Sequence, residues 1–411
     1  MARYMRWLRE YRGLTFDDYD ALWRWSVDET EAFWASVWDY FEIKSHSTYE
    51  RVLDGRNIQG ARWFEGARLN YAEHALARRD DHPALIAHSE ARAPVVVSYS
   101  ELANHVAEAA AGLRALGVSK GDRVAALMPN VPEAIVGFLA TASIGAVWSS
   151  CAPEFGVRSV VDRFRQIEPV VLLTTDGYVY GGKDFDLSNT VATLRESLPG
   201  LRATVVVPNL DPQFQVTDGL TAWDDVLVAG AELQFEQVEF SHPLWVLYSS
   251  GTTGVPKAIV QGHGGILIEH LKTSSLHLDI GPDDRLFWFT STGWMMWNFL
   301  MSGLLLGGTI VLYDGDPARP DLMTLWRLAQ ETGVTYFGTS ASFIHACMRA
   351  GLHPDQDLDL SGIRGLGSTG SPLSPEGFEW VYEAVNPKLL LNSFSGGTDI
   401  CTGIVGASPL L

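Results

Sequence analysis

Three short loops rich in Gly, Ser and Thr carry the residues best suited to chemistry. The first is Tyr248-Ser-Ser-Gly-Thr-Thr-Gly-Val-Pro-Lys257, directly after the apolar run LWVLY. Gly251 and Gly254 allow a ligand to approach the backbone closely. The hydroxyls of Ser249, Ser250, Thr252 and Thr253, with the N–H groups around them, offer donors to phosphate oxygens. Lys257 adds a point charge. The P-loop of NTPases is excluded, because it needs Gly-Lys-Ser/Thr adjacent and here Val255-Pro256 intervenes. A plain polar loop is the alternative.

The second loop, Gly365-Leu-Gly-Ser-Thr-Gly370, matches G-x-G-x-x-G, and Ser374-Pro375-Glu376 can start a helix after it. A dinucleotide site needs an acidic residue roughly 20 positions on. The segment NPKLLLNSF there has none. The loop therefore reads as a tight glycine turn beside a ligand, not a nicotinamide site. The third loop, Asn392-Ser-Phe-Ser-Gly-Gly-Thr-Asp399, follows the run LLL. Ligands of parallel sheets bind at the carboxyl ends of strands, so three such loops can converge on one crevice. Asp399 would be its only carboxylate, suited to Mg²⁺ as a hard oxygen ligand, or else a turn residue. The motifs H-E-x-x-H, C-x-x-C and G-x-S-x-G do not occur. His263 and His270 have no third ligand nearby in sequence and read as non-metal histidines.

These loops need a scaffold. The chain has 411 residues, which suggests roughly two to three domains. Apolar residues make up 46% and charged residues 19%, which excludes wholesale disorder. Three cysteines are too few for a disulfide scaffold, so free thiols and a cytoplasmic location are expected. A net charge of −19 argues against a nucleic-acid partner. The start, MARYMRWLREYRG, lacks the apolar core of a secretory signal and reads as a helix. Trp294–Tyr313 is nearly long enough to span a bilayer, but Asn298, Ser302, Gly307-Gly308 and the run TIVLY favour a buried helix, a turn and a buried strand. No membrane span is expected.

Ser26 followed by Glu29 reads as a capping box opening a helix with Phe33, Trp34 and Trp38. Ser100 reads as the cap of the helix that Gly117 ends. The segments RVAALM, PVVLLTT, ATVVVP, LWVLYSS, TIVLYDG, VTYFGTS, IRGLGST and LLLNSF read as buried strands. Strand and helix alternation predicts an α/β fold of mostly parallel sheets covered by helices.

At the three loops the sequence resembles the adenylate-forming superfamily, which includes acyl-CoA synthetases, nonribosomal adenylation domains and luciferases. YSSGTTGVPK looks like its signature, GSTGSPL its adenine-side loop and SFSGGTD its Tyr-Gly-x-Thr-Glu segment. TSTGWMMW stands in the place of its aromatic gate, and YDALWRWSVDETEAFW resembles the N-terminal extension of acetyl-CoA synthetase relatives. Within that branch, SGGTDICTGIVG and SSCAPEFG are most similar to members that act on acetoacetate.

The resemblance implies an extension over 1–75, a first α/β subdomain over 76–240 and a second over 241–411 that holds the ATP and acyl site. It implies an AMP-forming ligase that converts an acid, ATP and CoA into an acyl-AMP and then an acyl-CoA, with Mg²⁺ and no prosthetic group. The roles follow by position. Ser249, Ser250, Gly251, Thr252, Thr253 and Gly254, with Lys257, would hold the β- and γ-phosphates. Gly370, Ser371 and Pro372 would line the adenine, with Ser393, Phe394, Ser395, Gly396 and Gly397. Thr398 would contact the α-phosphate, and Asp399, where the family has Glu, would hold Mg²⁺.

Trp294, Met295, Met296 and Gly396 would line the acyl pocket. Acetyl-CoA synthetases carry Trp where Gly396 stands, so glycine would open room for an acid larger than acetate. Tyr180, Gly181, Gly182 and Lys183 align with a CoA-phosphate segment that is richer in Arg. The superfamily continues into a mobile C-terminal domain with a catalytic Lys, so the chain is expected to be C-terminally truncated and impaired by itself. The alternatives are another short- or medium-chain acyl-CoA synthetase and a catalytically idle nucleotide-binding module. The oligomeric state stays open.

Overall fold

The computed structural model describes residues 1–55, 57–217, 219–249 and 254–411. Two seven-stranded sheets organise it. The first runs, edge to edge, Thr221–Ala222, Ala203–Val207, Val171–Thr175, Arg123–Leu127, Val147–Cys151, Pro243–Ser249, Lys257–Gly262. Its neighbours are parallel except for the last pair. The second runs Leu390–Ser393, Gly365–Thr369, Tyr336–Ser340, Arg285–Trp288, Thr309–Asp314, Pro83–Ser89, Val95–Ser98, and again only the last pair is antiparallel. Central strands such as Val147–Cys151 are buried at every position, which is why they read as unbroken apolar runs.

Sheet membership crosses the boundary expected at residue 240. Pro83–Ser89 and Val95–Ser98 complete the second sheet, while Pro243–Ser249 and Lys257–Gly262 complete the first. Strand and helix alternation does not specify which sheet a strand joins; long-range pairing does. Here Leu85–Ser89 aligns residue for residue with Ile310–Asp314.

Two helix starts differ from expectation. Ser26 lies inside the helix Tyr19–Asp28 and donates back to the Trp23 carbonyl. Asp18 caps that helix by accepting from the Ala21 N–H, because its side chain sits one residue before the first turn. The helix Tyr99–Ala115 is capped by Ser98, not Ser100. Ser98 and Glu101 form a reciprocal capping box, which Ser100 is two positions too late to make. Ser374 does cap Pro375–Ala384, with Pro375 at its first position.

The N-terminal 40 residues form the helices Ala2–Arg12, Tyr19–Asp28 and Thr30–Tyr40. Tyr4, Leu8, Leu22, Val37 and Trp38 join the main hydrophobic core. The apolar segment after Trp294 resolves into Met295–Leu300, Ser302–Leu305 and the strand Thr309–Asp314. Among the described residues no helix is long and apolar enough to cross a membrane. All three cysteines are free and buried.

Candidate active site

Five parallel strands of the second sheet end on one side, at Trp288, Asp314, Ser340, Thr369 and Ser393. All five terminal residues line a single cavity of about 1140 Å³. The sheet thus does what parallel sheets do: its carboxyl ends open into a ligand crevice.

The second and third loops arrive there as expected. Gly370, at φ 88°, turns the chain out of its strand, and Gly370, Ser371 and Pro372 line the cavity. Ser393, Phe394, Ser395, Gly396, Gly397 and Thr398 line it as well. Trp294, Met295 and Met296 form part of its apolar wall with Trp288, Phe289 and Tyr313. Trp294 stands at the rim, 59% exposed, edge-on to Phe155 at 6.1 Å.

Tyr180 also lines the cavity. Gly181 and Gly182, at φ 61° and 68°, make the two-residue turn between Gly177–Tyr180 and Lys183–Asp186. Its tip is fastened at two points. The Gly182 N–H donates to Glu90 at 2.7 Å, and Arg319 donates to the Gly181 carbonyl at 2.6 Å. Gly181, Gly182 and Lys183 themselves stand outside the lining.

The first loop is only partly described. Ser250, Gly251, Thr252 and Thr253 lie outside the described residues. Ser249 ends its strand and pairs in register with Lys257, the first residue of the antiparallel neighbour. Neither lines the cavity, and Lys257 is exposed. Gly254 adopts φ 151°, with nothing near the position of an added Cβ. Asp399 is likewise exposed and just outside the lining, one residue beyond Thr398. Among the described residues no grouping of three or more His, Cys, Asp or Glu could hold a metal.

Gly396 behaves differently from expectation. It lies on Ser395–Gly397, paired with Thr402–Val405, and a Cβ there would collide with the Thr402 carbonyl and crowd the Gly403 Cα. The glycine is therefore required by close backbone approach within the hairpin. A tryptophan could not enter the cavity from this position without moving the hairpin.

Several cavity and support residues had no sequence motif. Asp314 ends an apolar strand, and a carboxylate in that place is the one available signal. Burial, reinforced by Glu154 and Glu90, pushes its carboxyl up to about 6, while the Asn130 N–H and Arg92 act in the opposite direction. Glu154 faces the same cavity. Gln261 sits four residues after Lys257 with nothing in the sequence to mark it. His263 and His270 are fully buried, and burial pushes them down to about 3 and about 4, so both are neutral.

The fold and this crevice define an α/β class with a cavity at the carboxyl ends of a parallel sheet, and comparison with known proteins specifies the family. The family described as AMP-binding enzyme matches residues 72–406, and the acetyl-coenzyme A synthetase N-terminus matches residues 19–75. The chain belongs to the AMP-binding enzyme family. It is 45% identical over 417 aligned residues to an acetoacetyl-coenzyme A synthetase of Rhizobium meliloti (strain 1021), covering 100% of this chain and 64% of that relative. It is 42% identical to an acetoacetyl-CoA synthetase of Danio rerio, covering 97% of this chain and 61% of the relative. A solved acetoacetyl-CoA synthetase from Streptomyces lividans superposes with a TM-score of 0.96 at 54% identity, over 100% of this chain and 64% of that one. The chain thus spans 61% to 64% of the length of these relatives.

Proposed function

We propose that this chain supplies the nucleotide and acyl site of a cytoplasmic acid–thiol ligase that converts acetoacetate to acetoacetyl-AMP and then to acetoacetyl-CoA. The observation that carries the reading is the convergence of the second and third loops, with Trp294–Met296, on one cavity at the carboxyl ends of parallel strands. The relatives named above support the choice of acid.

A carboxylate is a poor electrophile because oxide is a poor leaving group. In the proposed first step a carboxylate oxygen attacks the α-phosphorus of ATP, and the bond to pyrophosphate breaks. In the second the CoA thiol, losing its proton, attacks the acyl carbon and AMP leaves. The protein's part is positioning and charge neutralisation, without a side-chain nucleophile. Lys257 and the loop before it would meet the β- and γ-phosphates. Gly370–Pro372 and Ser393–Gly397 would hold the adenine, and Thr398 the α-phosphate. Tyr180, with the fastened Gly181-Gly182 turn and Lys183, would meet CoA.

Asp399 is the residue that would hold Mg²⁺, since Mg²⁺ commonly binds through only one or two protein carboxylates. When bound, it would offset phosphate charge.

The test is calorimetric binding of non-reactive acetoacetyl- and acetyl-adenylate analogues to this chain. Preference for the acetoacetyl analogue is expected. Equal binding would leave the nucleotide reading and remove the acid, and binding of neither would remove both.

A further inference from the structure

The turn at Thr398–Thr402 is bolted to the polypeptide that follows the phosphate loop. Gln261 is buried on the strand Lys257–Gly262. Its Nε2 donates to the Thr398 carbonyl at 2.7 Å and to the Asp399 carbonyl at 3.2 Å. Its Oε1 accepts from the buried indole N–H of Trp245 at 2.5 Å, which fixes which way the amide faces. A second bond follows nine residues on. His270 lies 3.1 Å through Nε2 from the Cys401 carbonyl. A carbonyl only accepts, so neutral His270 donates from Nε2, and its Nδ1 is left buried without a partner among the described residues. Thr402 donates to Glu269, on the same helix, at 3.0 Å.

The turn needs holding. Cys401 adopts φ 50°, a left-handed conformation unusual for a residue with a side chain. Within the turn, the N–H groups of Ile400 and Cys401 both donate to the Gly397 carbonyl. Side-chain amides and imidazoles are short, directional arms, so they convey strand and helix position to the turn. Lys257 lies on the same strand as Gln261. Gln261 therefore sits between the two segments to which the proposed function gives the phosphates.

We propose that Gln261 is a positioning residue that sets the Thr398–Asp399 turn relative to the strand that begins at Lys257, with His270 as its second anchor. The proposal rests on the nucleotide reading above. It acts through phosphate contacts, so its loss is felt by ATP and not by adenosine.

The experiment compares the wild-type chain with Gln261→Met and Gln261→Glu. Both variants are close in size to glutamine and remove the amide donor. The Glu variant keeps an oxygen for Trp245, while the Met variant adds no charge near phosphate. Calorimetry would measure ATP with Mg²⁺ and, separately, adenosine. Amide exchange would follow Ile400 and Cys401 in the ligand-free proteins. ATP affinity should fall roughly 5- to 10-fold in both variants, with adenosine affinity within twofold of the wild type. Exchange at Ile400 and Cys401 should quicken.

Unchanged ATP affinity in Gln261→Met would overturn the proposal. Equal losses for ATP and adenosine would overturn it too, by showing a general collapse of the site. If the wild-type chain binds neither nucleotide, the functional reading fails. The anchoring is then judged by exchange alone, and unchanged exchange in Gln261→Met would overturn it. His270→Gln, which keeps a donor, should bind ATP more tightly than His270→Leu.

Discussion

The indole N–H of Trp297 donates to Asn130 Oδ1 at 3.0 Å, and both residues are buried. Asn130 follows a strand of the first sheet, and Trp297 lies on a helix that leads back into the second. The same asparagine donates through Nδ2 to the Thr290 carbonyl at 3.5 Å and the Tyr313 carbonyl at 3.4 Å, and through its backbone N–H to Asp314 at 3.3 Å. One side chain thus joins the two sheets beside the cavity.

Asn130→Ala should leave the Trp297 N–H buried without a partner. Such a loss costs about 1–3 kcal/mol. Urea denaturation followed by tryptophan fluorescence would measure it, and a change below about 0.5 kcal/mol, the usual size for surface substitutions, would show that the bond is dispensable.

Asp314 has a folded-state value of about 6, above the usual carboxylate value of about 3.9. The folded state therefore binds this proton more tightly than the unfolded chain does. The group's contribution is most favourable below about pH 4 and is lost as pH rises through about 6. Asp314→Asn keeps an oxygen to accept from Asn130 and removes the buried charge. It should stabilise the protein by about 1–3 kcal/mol at pH 8 and leave stability nearly unchanged at pH 4. Denaturant titrations at the two pH values would decide; equal effects at both would remove the assignment.

Gly396→Ala tests whether the glycine serves the hairpin or the acyl pocket. The added Cβ meets the Thr402 backbone, not empty cavity. The variant should weaken both the acetyl- and the acetoacetyl-adenylate analogue by displacing Ser395–Gly397. A selective loss of the acetoacetyl analogue would restore the view that this position only gauges acid size.

Ser98→Ala should cost about 1 kcal/mol, the usual value of an N-cap. Ser100→Ala should cost clearly less, since Ser100 lies within the first helical turn. Thermal denaturation of the pair would distinguish the two, and equal losses would contradict the observed cap.

Much of this architecture was legible in the chain. Buried parallel strands announce themselves as apolar runs, because both faces are covered, and the runs from RVAALM to LLLNSF all became strands. Glycine loops after such strands marked the cavity mouth at Gly370 and Ser393–Gly397 for the same reason. Caps were less legible, since Ser26, Ser98 and Ser100 differ only in where the backbone leaves extended geometry. Asp314 carried no motif, because its significance comes from neighbours distant in sequence.

The sequence by itself determined the residue classes: which stretches are strands, which loops are rich in donors, and which family they resemble. These follow from local side-chain chemistry and short-range periodicity. Only the tertiary structure decided that Pro83–Ser89 joins the second sheet, that Gly396 is pressed against Thr402, and that Gln261 holds Thr398. Those relationships join residues six to more than two hundred positions apart, and what selects them is the burial of shared surface and the pairing of buried polar groups.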